Sequence, residues 1–354
     1  MSFQKLNIVL VGGGHAMLPV VEYSGKWREK GHKITLVSDH RWLYYSGMIP
    51  EYIGGVYNED QIRIDLARLA EKNDVVFLEA RASNVAPESK VLKLNNGTTL
   101  TYDLLVFDIG TIPPRESGFS GEGIVPSKPL HKIRMLADFI ANSTKHPGEL
   151  LIVGGGAAGV EVALNVSGRL CDQIRTGDFS LHVYERAERL LPDFPSPMSK
   201  YVYRLLSKRG VRIHFESTFE PQGESGESSR MIFWATGTGG NPIFSEGGLP
   251  VDSSGFMRVN RTLQSINDPF ILGAGDCISI DGIRSLRKIG VHAVKQGPLL
   301  AGNLDMLISV LEAEKDPGRQ NFRHTDRTPS THSFFQPEGA KGFGWLDLYG
   351  FIIK

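Results

Sequence analysis

Twice in this chain a short apolar strand runs into a glycine cluster and then into a helix-forming stretch. The two segments are IVLVGGGHAML, with Gly12 and Gly14, and LLIVGGGAAGVEVAL, with Gly154, Gly156 and Gly159. Glycines packed directly behind a buried strand signal special backbone geometry, not a flexible linker. Each segment reads as strand, glycine turn, helix, strand. In the first, a strand over Leu6 to Val11 precedes a helix running to about Lys30 and a strand over Lys33 to Val37. In the second, a strand over Leu150 to Val153 precedes a helix over Ala157 to Cys171 and a strand over Ser180 to Tyr184. The copies lie roughly 140 residues apart, too far for a solenoid repeat. The pattern predicts an α/β fold with two Rossmann-like three-layer domains.

The second turn is the stronger signal. Gly154 permits the tight turn, Gly156 lets the backbone approach a pyrophosphate, and Gly159 lets helix and strand pack closely. The diphosphate then meets the free N–H groups at the helix start. The next strand ends on an acid, Glu185, as a ribose-binding site requires. A carboxylate there accepts from the ribose hydroxyls and repels a 2′-phosphate, so it favours NADH over NADPH. Arg186 and Arg189 follow closely and could soften that preference.

The first turn is more degenerate. Met17 takes the third glycine position, and the second strand ends on Ser38 and Asp39 where one acid is expected. Three further strands break at glycine: YDLLVFDIG ends at Gly110, IFWATG at Gly237, and FILGAGD runs into Gly275 and Asp276. Any one could be a plain strand end, but five such turns in one chain are not coincidence.

Composition narrows the class. The chain has 354 residues, with Lys plus Arg and Asp plus Glu both at 39. Zero net charge argues against a nucleic-acid partner, which calls for excess positive charge. A hydrophobic content of 41% suits a globular protein. No stretch reaches the ~18 apolar residues of a membrane span, and the first apolar run is too short for a signal peptide. Two cysteines far apart, Cys171 and Cys277, make neither a disulfide framework nor a metal pattern, and no metal site is expected. A cytoplasmic location follows as the expectation.

On these motifs the chain resembles the two-dinucleotide-binding-domain flavoproteins of the pyridine nucleotide-disulfide oxidoreductase-like superfamily, over about residues 5 to 310. Within it, the GGGH turn at Gly12 to His15, YSGMIPEYIGG at Tyr45 to Gly55, DIG at Asp108 to Gly110 and KIGVHAVKQGPLLAGNL at Lys288 to Leu304 look like type II NADH dehydrogenase-like proteins. The match extends to the subgroup associated with selenide, water dikinase. The resemblance implies that the first turn, with Gly12, Gly14 and His15, binds FAD, and that Asp276 bonds the flavin ribityl chain. It implies further that Ser46, Gly47 and Pro50 lie beside the isoalloxazine ring. The helix from Val291 would point its N-terminus at the flavin, with Lys288 adding positive charge against the reduced form. NADH would pass hydride to the flavin. The implied domains are FAD-binding at residues 1–125 and 256–310, NAD-binding at 126–255, and a C-terminal segment at 311–354.

The sequence also departs from that family. Near the flavin there is no cysteine pair of the disulfide-reductase kind. Cys277 reads as structural, and Cys171, at an apolar-periodic helix position, reads as core. The quinone motif of type II NADH dehydrogenases survives only as Gln296, with Gly290 and Val291 ahead of it. The strands usually found between the third NAD-domain strand and the ATG strand are trimmed to Ser217 to Arg230. The tail aromatics Phe334, Phe335, Phe343, Trp345 and Phe351 read as core or dimer contacts. The expected activity is therefore an FAD-dependent NADH:acceptor oxidoreductase, with a quinone or another small molecule as acceptor. The competing reading is a flavin-bound redox sensor or partner protein linked to selenium metabolism with little turnover. A homodimer, and peripheral contact with the inner face of a membrane, are compatible with either.

Overall fold

A computed structural model of the chain describes residues 5–113, 123–219, 229–283, 288 and 290–314. In chain order the elements used below are β1 (Asn7–Val11), α1 (Met17–Tyr23), β2 (Lys33–Ser38), α2 (Ile49–Ile53), β3 (Val76–Glu79) and β4 (Leu104–Phe107). They continue with β5 (Ile124–Pro126), α3 (Ile133–Asn142), β6 (Gly148–Val153), α4 (Ala157–Arg169), β7 (Phe179–Tyr184) and α5 (Ser196–Lys208). The last are β8 (Arg212–His214), β9 (Arg230–Trp234), β10 (Ile271–Gly273) and α6 (Gly290–Glu314).

The described residues form two compact units. The first gathers residues up to 43, 65–111 and from 240 onward, and the second gathers 44–64 and 112–239. These units change over at different places from the boundaries expected at 125 and 255. The segment with Ser46, Gly47 and Pro50 belongs to the second unit, not to the one carrying the first glycine turn. The reason is packing: α2 lies against α4. A Cβ on Gly54 would come within 2.9 Å of the Asn165 amide, and Arg169 donates to the Ile53 carbonyl at 2.8 Å.

In the first unit a parallel sheet runs β10-β4-β1-β2-β3. Its central strands are mostly apolar, as expected of strands covered on both faces. Ile8, Leu10, Leu36, Leu104 and Phe107 are fully buried. The long helix α6 contributes Leu300, Leu304 and Ile308 to the same core. Its start presses on α1: a Cβ on Gly297 would meet Pro19 at 2.9 Å. Its end is pinned by His32, whose Nδ1 accepts from the Leu6 N–H at 3.2 Å and whose Nε2 meets Glu312 at 3.0 Å. The second unit repeats the plan, with a parallel sheet in the order β5-β9-β6-β7-β8.

Two local expectations differ. The helix after the first turn stops at Tyr23 and a second one spans Gly25–Glu29. At the break the Ser24 hydroxyl bonds back to the Val21 carbonyl at 2.6 Å, competing with helical continuation. Cys171 is exposed, not core, because α4 ends at Arg169 and Cys171 opens a separate short helix. Most of the loop expected at 217–230 and all the tail aromatics fall outside the described residues. Among the described residues no helix is long and apolar enough to cross a membrane.

Candidate functional site

The second unit holds a turn with all three glycine roles legible in its contacts. Gly154 has φ +112, and a Cβ there would lie 2.6 Å from the Ala235 carbonyl oxygen. A Cβ on Gly159 would strike the Gly154 carbonyl at 1.9 Å, so this glycine is what brings α4 onto the turn. A Cβ on Gly156 would meet nothing within 4 Å. That face of the turn is where a diphosphate approaches the backbone. Beside it Glu185 is fixed in place. One carboxylate oxygen accepts from the Gly155 N–H at 2.7 Å and the other from the Ala187 N–H at 2.7 Å. The Glu185 N–H itself donates to the His214 carbonyl at 2.8 Å, tying the acid to the end of β8. Arg189 is turned into its own loop, donating to the carbonyls of Phe194 and Pro192, which leaves Arg186 as the nearer cation in sequence. Gly237 is exposed with φ +53, just past β9. These donors and acceptors fit a dinucleotide.

The first unit carries the matching turn. Gly12 has φ +94, and its Cβ would fall 2.2 Å from the Asp108 carbonyl oxygen. Ser38 is buried and its hydroxyl donates to the His40 carbonyl at 2.9 Å, whereas Asp39 is exposed beyond the strand end. Past β4, Gly110 has φ +65 with nothing near its would-be Cβ. The neighbouring Thr111 hydroxyl is buried and has no hydrogen-bond partner among the described residues. A buried hydroxyl in that state is a place for a ligand's polar atom. On the far side of β4 the Gly275 N–H donates to the Gln296 side-chain oxygen at 2.7 Å, locking the Gly275–Asp276 turn to α6. Asp276 is buried beside it. Lys288 donates to the Ile278 carbonyl and lies over the Phe256 ring at 3.9 Å. Burial lowers its ammonium pKa. Val291, in the first turn of α6, is 38% exposed. The orphaned Thr111 hydroxyl, the glycine turn and the buried Asp276 fit a flavin dinucleotide.

Three residues to which the motif reading gave no role stand out. Glu161 follows Gly159 on α4, and α2 sets Glu51 near it. Burial first, and then the Glu51 charge, push the Glu161 carboxyl up to about 7. The sequence signal was its place two residues beyond the last motif glycine. Asp108 is 3% exposed at the end of β4, and it accepts from the Met17 N–H at 3.0 Å. The third is Thr111. Pro50 is buried in the first turn of α2, and Ser46 and Gly47 form the single turn ahead of it. Cys277 is fully buried, and burial pushes its thiol up to about 12, which rules it out as a thiolate nucleophile.

Comparison with known proteins agrees with this plan. Residues 6–297 match the family described as pyridine nucleotide-disulphide oxidoreductase. The demethylphylloquinone reductase NdbB of Synechocystis is 24% identical over 299 residues, covering 78% of this chain and 72% of that protein. The type II NADH:quinone oxidoreductase of Haemophilus influenzae is 23% identical over 330 residues, covering 77% and 74%. The reduced Bacillus anthracis protein CoADR-RHD superposes with a TM-score of 0.70 at 21% identity, over 85% of this chain. The chain spans only 57% of that solved structure's length.

Proposed function

This chain belongs to the pyridine nucleotide-disulphide oxidoreductase family, whose members use FAD and NAD(H), and on that premise we propose that it is an FAD-dependent NADH:acceptor oxidoreductase. The observation that carries the reading is the second turn, with Gly156 open to a diphosphate and Glu185 held rigidly beside it. Bound FAD supplies two-electron redox chemistry between a nicotinamide donor and an acceptor. The chain's residues do the rest. The backbone N–H groups after Gly154 hold the NADH diphosphate. Glu185 accepts from the adenosine ribose hydroxyls and repels a 2′-phosphate, which selects NADH. Asp276 and Thr111 bond flavin hydroxyls or carbonyls, and Lys288 adds positive charge near them. Gln296 acts as a positioning residue, holding the Gly275 turn. Glu161, with a carboxyl that titrates near neutrality, can hold and release a proton at its side-chain oxygens while electrons move.

The acceptor in this reading is a quinone, as the names of two relatives suggest. The protein would then work in the cytoplasm or at the inner face of the membrane, as a monomer or homodimer. The kinship with the selenide, water dikinase-associated subgroup belongs to the same proposal and rests on the GGGH and YSGMIPEYIGG segments. Anaerobic stopped-flow spectroscopy at ~450 nm, the oxidised-flavin band, tests the proposal. Fast bleaching by NADH and slow bleaching by NADPH are expected. A yellow protein that neither nucleotide bleaches would overturn it.

A further inference from the structure

The two glycine turns share one pattern of backbone hydrogen bonds to the strands beside them. In each, the N–H of the turn's first glycine donates to the end of the neighbouring strand: Gly12 to Val37 at 2.7 Å and Gly154 to Tyr184 at 2.8 Å. In each, the residue that ends the next strand over donates back to the turn strand: Asp108 to Val11 at 2.8 Å and Ala235 to Val153 at 2.8 Å. In each, that residue's carbonyl lies where the first glycine's Cβ would be, at 2.2 Å for Asp108 and 2.6 Å for Ala235. Asp108 and Ala235 are therefore structural counterparts.

Their side chains differ in the one respect that matters to an anion. Above Gly156 a Cβ meets nothing within 4 Å. Above Gly14, the glycine in the same position of the first turn, a Cβ would fall 2.2 Å from an Asp108 carboxylate oxygen. The same oxygen lies 2.3 Å from the would-be Cβ of Gly275. The second glycine of such a turn is the one over which the diphosphate approaches. The first unit thus carries a buried carboxylate on its diphosphate side, where the second carries a methyl group.

We propose that Asp108 makes flavin binding in the first unit proton-linked and reversible: its carboxyl takes up a solvent proton as the diphosphate enters, and gives it back on release. This rests on the flavin reading of the first turn. Two anionic groups forced together out of water cannot both keep full charge, so one is neutralised. Cys277 on the Gly275 turn feels the charges of Asp108, Lys288 and Asp276, His292 at the start of α6 feels those of Asp276, Lys295 and Lys288, and His15 stands in the glycine turn itself. Lys288 is held on the Ile278 carbonyl. Asp276 adds further negative charge on the same side.

The test uses the purified holoprotein, diluted so that FAD release is read from the return of free-flavin fluorescence, between pH 5.5 and 8.5. The apparent FAD dissociation constant of the unmodified chain is expected to rise by up to about tenfold per pH unit. In Asp108→Asn, of the same shape and neutral, FAD should be held at least about tenfold more tightly at the alkaline end, with the pH dependence gone. Asp108→Ala, which copies the second unit's residue, should behave likewise and guards against a local effect of the amide. Equal pH profiles in all three proteins, or faster release from both variants throughout, would overturn the inference while leaving the flavin reading intact. If none of the three binds added FAD, the flavin reading fails and this inference with it.

Discussion

Single side chains here do work that their sequence neighbours do not announce. Glu185 accepts two backbone N–H bonds before any ligand arrives, so its carboxylate is oriented in advance. Glu185→Gln keeps the shape but loses one acceptor and the charge. It should weaken NADH binding about tenfold and narrow the NADH-over-NADPH preference, read from dissociation constants for both nucleotides. Glu161 is a second case. Its carboxyl rises from the ordinary 4.5 to about 7 on folding. The folded state therefore holds this proton more tightly than the unfolded chain does. The stability it confers is full below pH 4.5 and is lost as pH rises through 7. Glu161→Gln should be more stable than the parent at pH 8, by about 3 kcal/mol, and equal to it near pH 4.5. Thermal melts across that range decide this. Glu161 was readable as a helix residue near the motif. Its ionisation was not, because that depends on α2 and Glu51 arriving from far away in the chain.

At the scale of elements, the β6–α4 turn separates folding from binding. Gly156 is extended, with φ −74 and ψ −172, and nothing stands near its would-be Cβ. Gly156→Ala should leave the melting temperature within about a degree, the effect of a neutral surface change, yet weaken NADH binding. Gly159→Ala should do the reverse first. Its Cβ would overlap the Gly154 carbonyl, so α4 must move off the turn at a cost of about 1–3 kcal/mol. Calorimetry and nucleotide titration on the two variants check the contrast. The edge strand β8 and its neighbour β7 carry a pH response. His182 on β7 and His214 on β8 stack at 5.3 Å with a 3.1 Å contact between ring nitrogens. Burial lowers the His182 pKa. The unfolded chain therefore takes up this proton first, and stability that is full above about pH 6.5 declines as pH falls below it. His182→Gln should remove that decline in urea titrations between pH 5 and 7.5. Because Glu185 bonds to the His214 carbonyl, NADH affinity should follow the same trend.

For the molecule as a whole, two units of one design share a chain in which the second interrupts the first. Ligands that bind only the native state protect the residues they order. Hydrogen exchange should therefore slow on NADH addition over the β6–α4 turn and residues 184–187, with little change at β1 and β4. FAD removal should loosen the Gly12 turn, the end of β4 and the Gly275 turn, with little change at β6. A uniform response of both units to either ligand would contradict the separate assignment of the two nucleotides.

The duplicated strand–glycine–helix signal determined the fold class, the two parallel sheets and the positions of both turns. Those features are local: steric limits on φ, the apolar runs of buried strands and the close helix approach all act over a few residues. Tertiary structure alone decided which residues meet. It grouped Ser46, Gly47 and Pro50 with the second unit, turned Cys171 outward and closed Gln296 onto Gly275. It also brought Asp108 over Gly14, where Ala235 leaves Gly156 clear. Such pairings join residues distant in sequence through strand register and helix packing, and no local pattern records them.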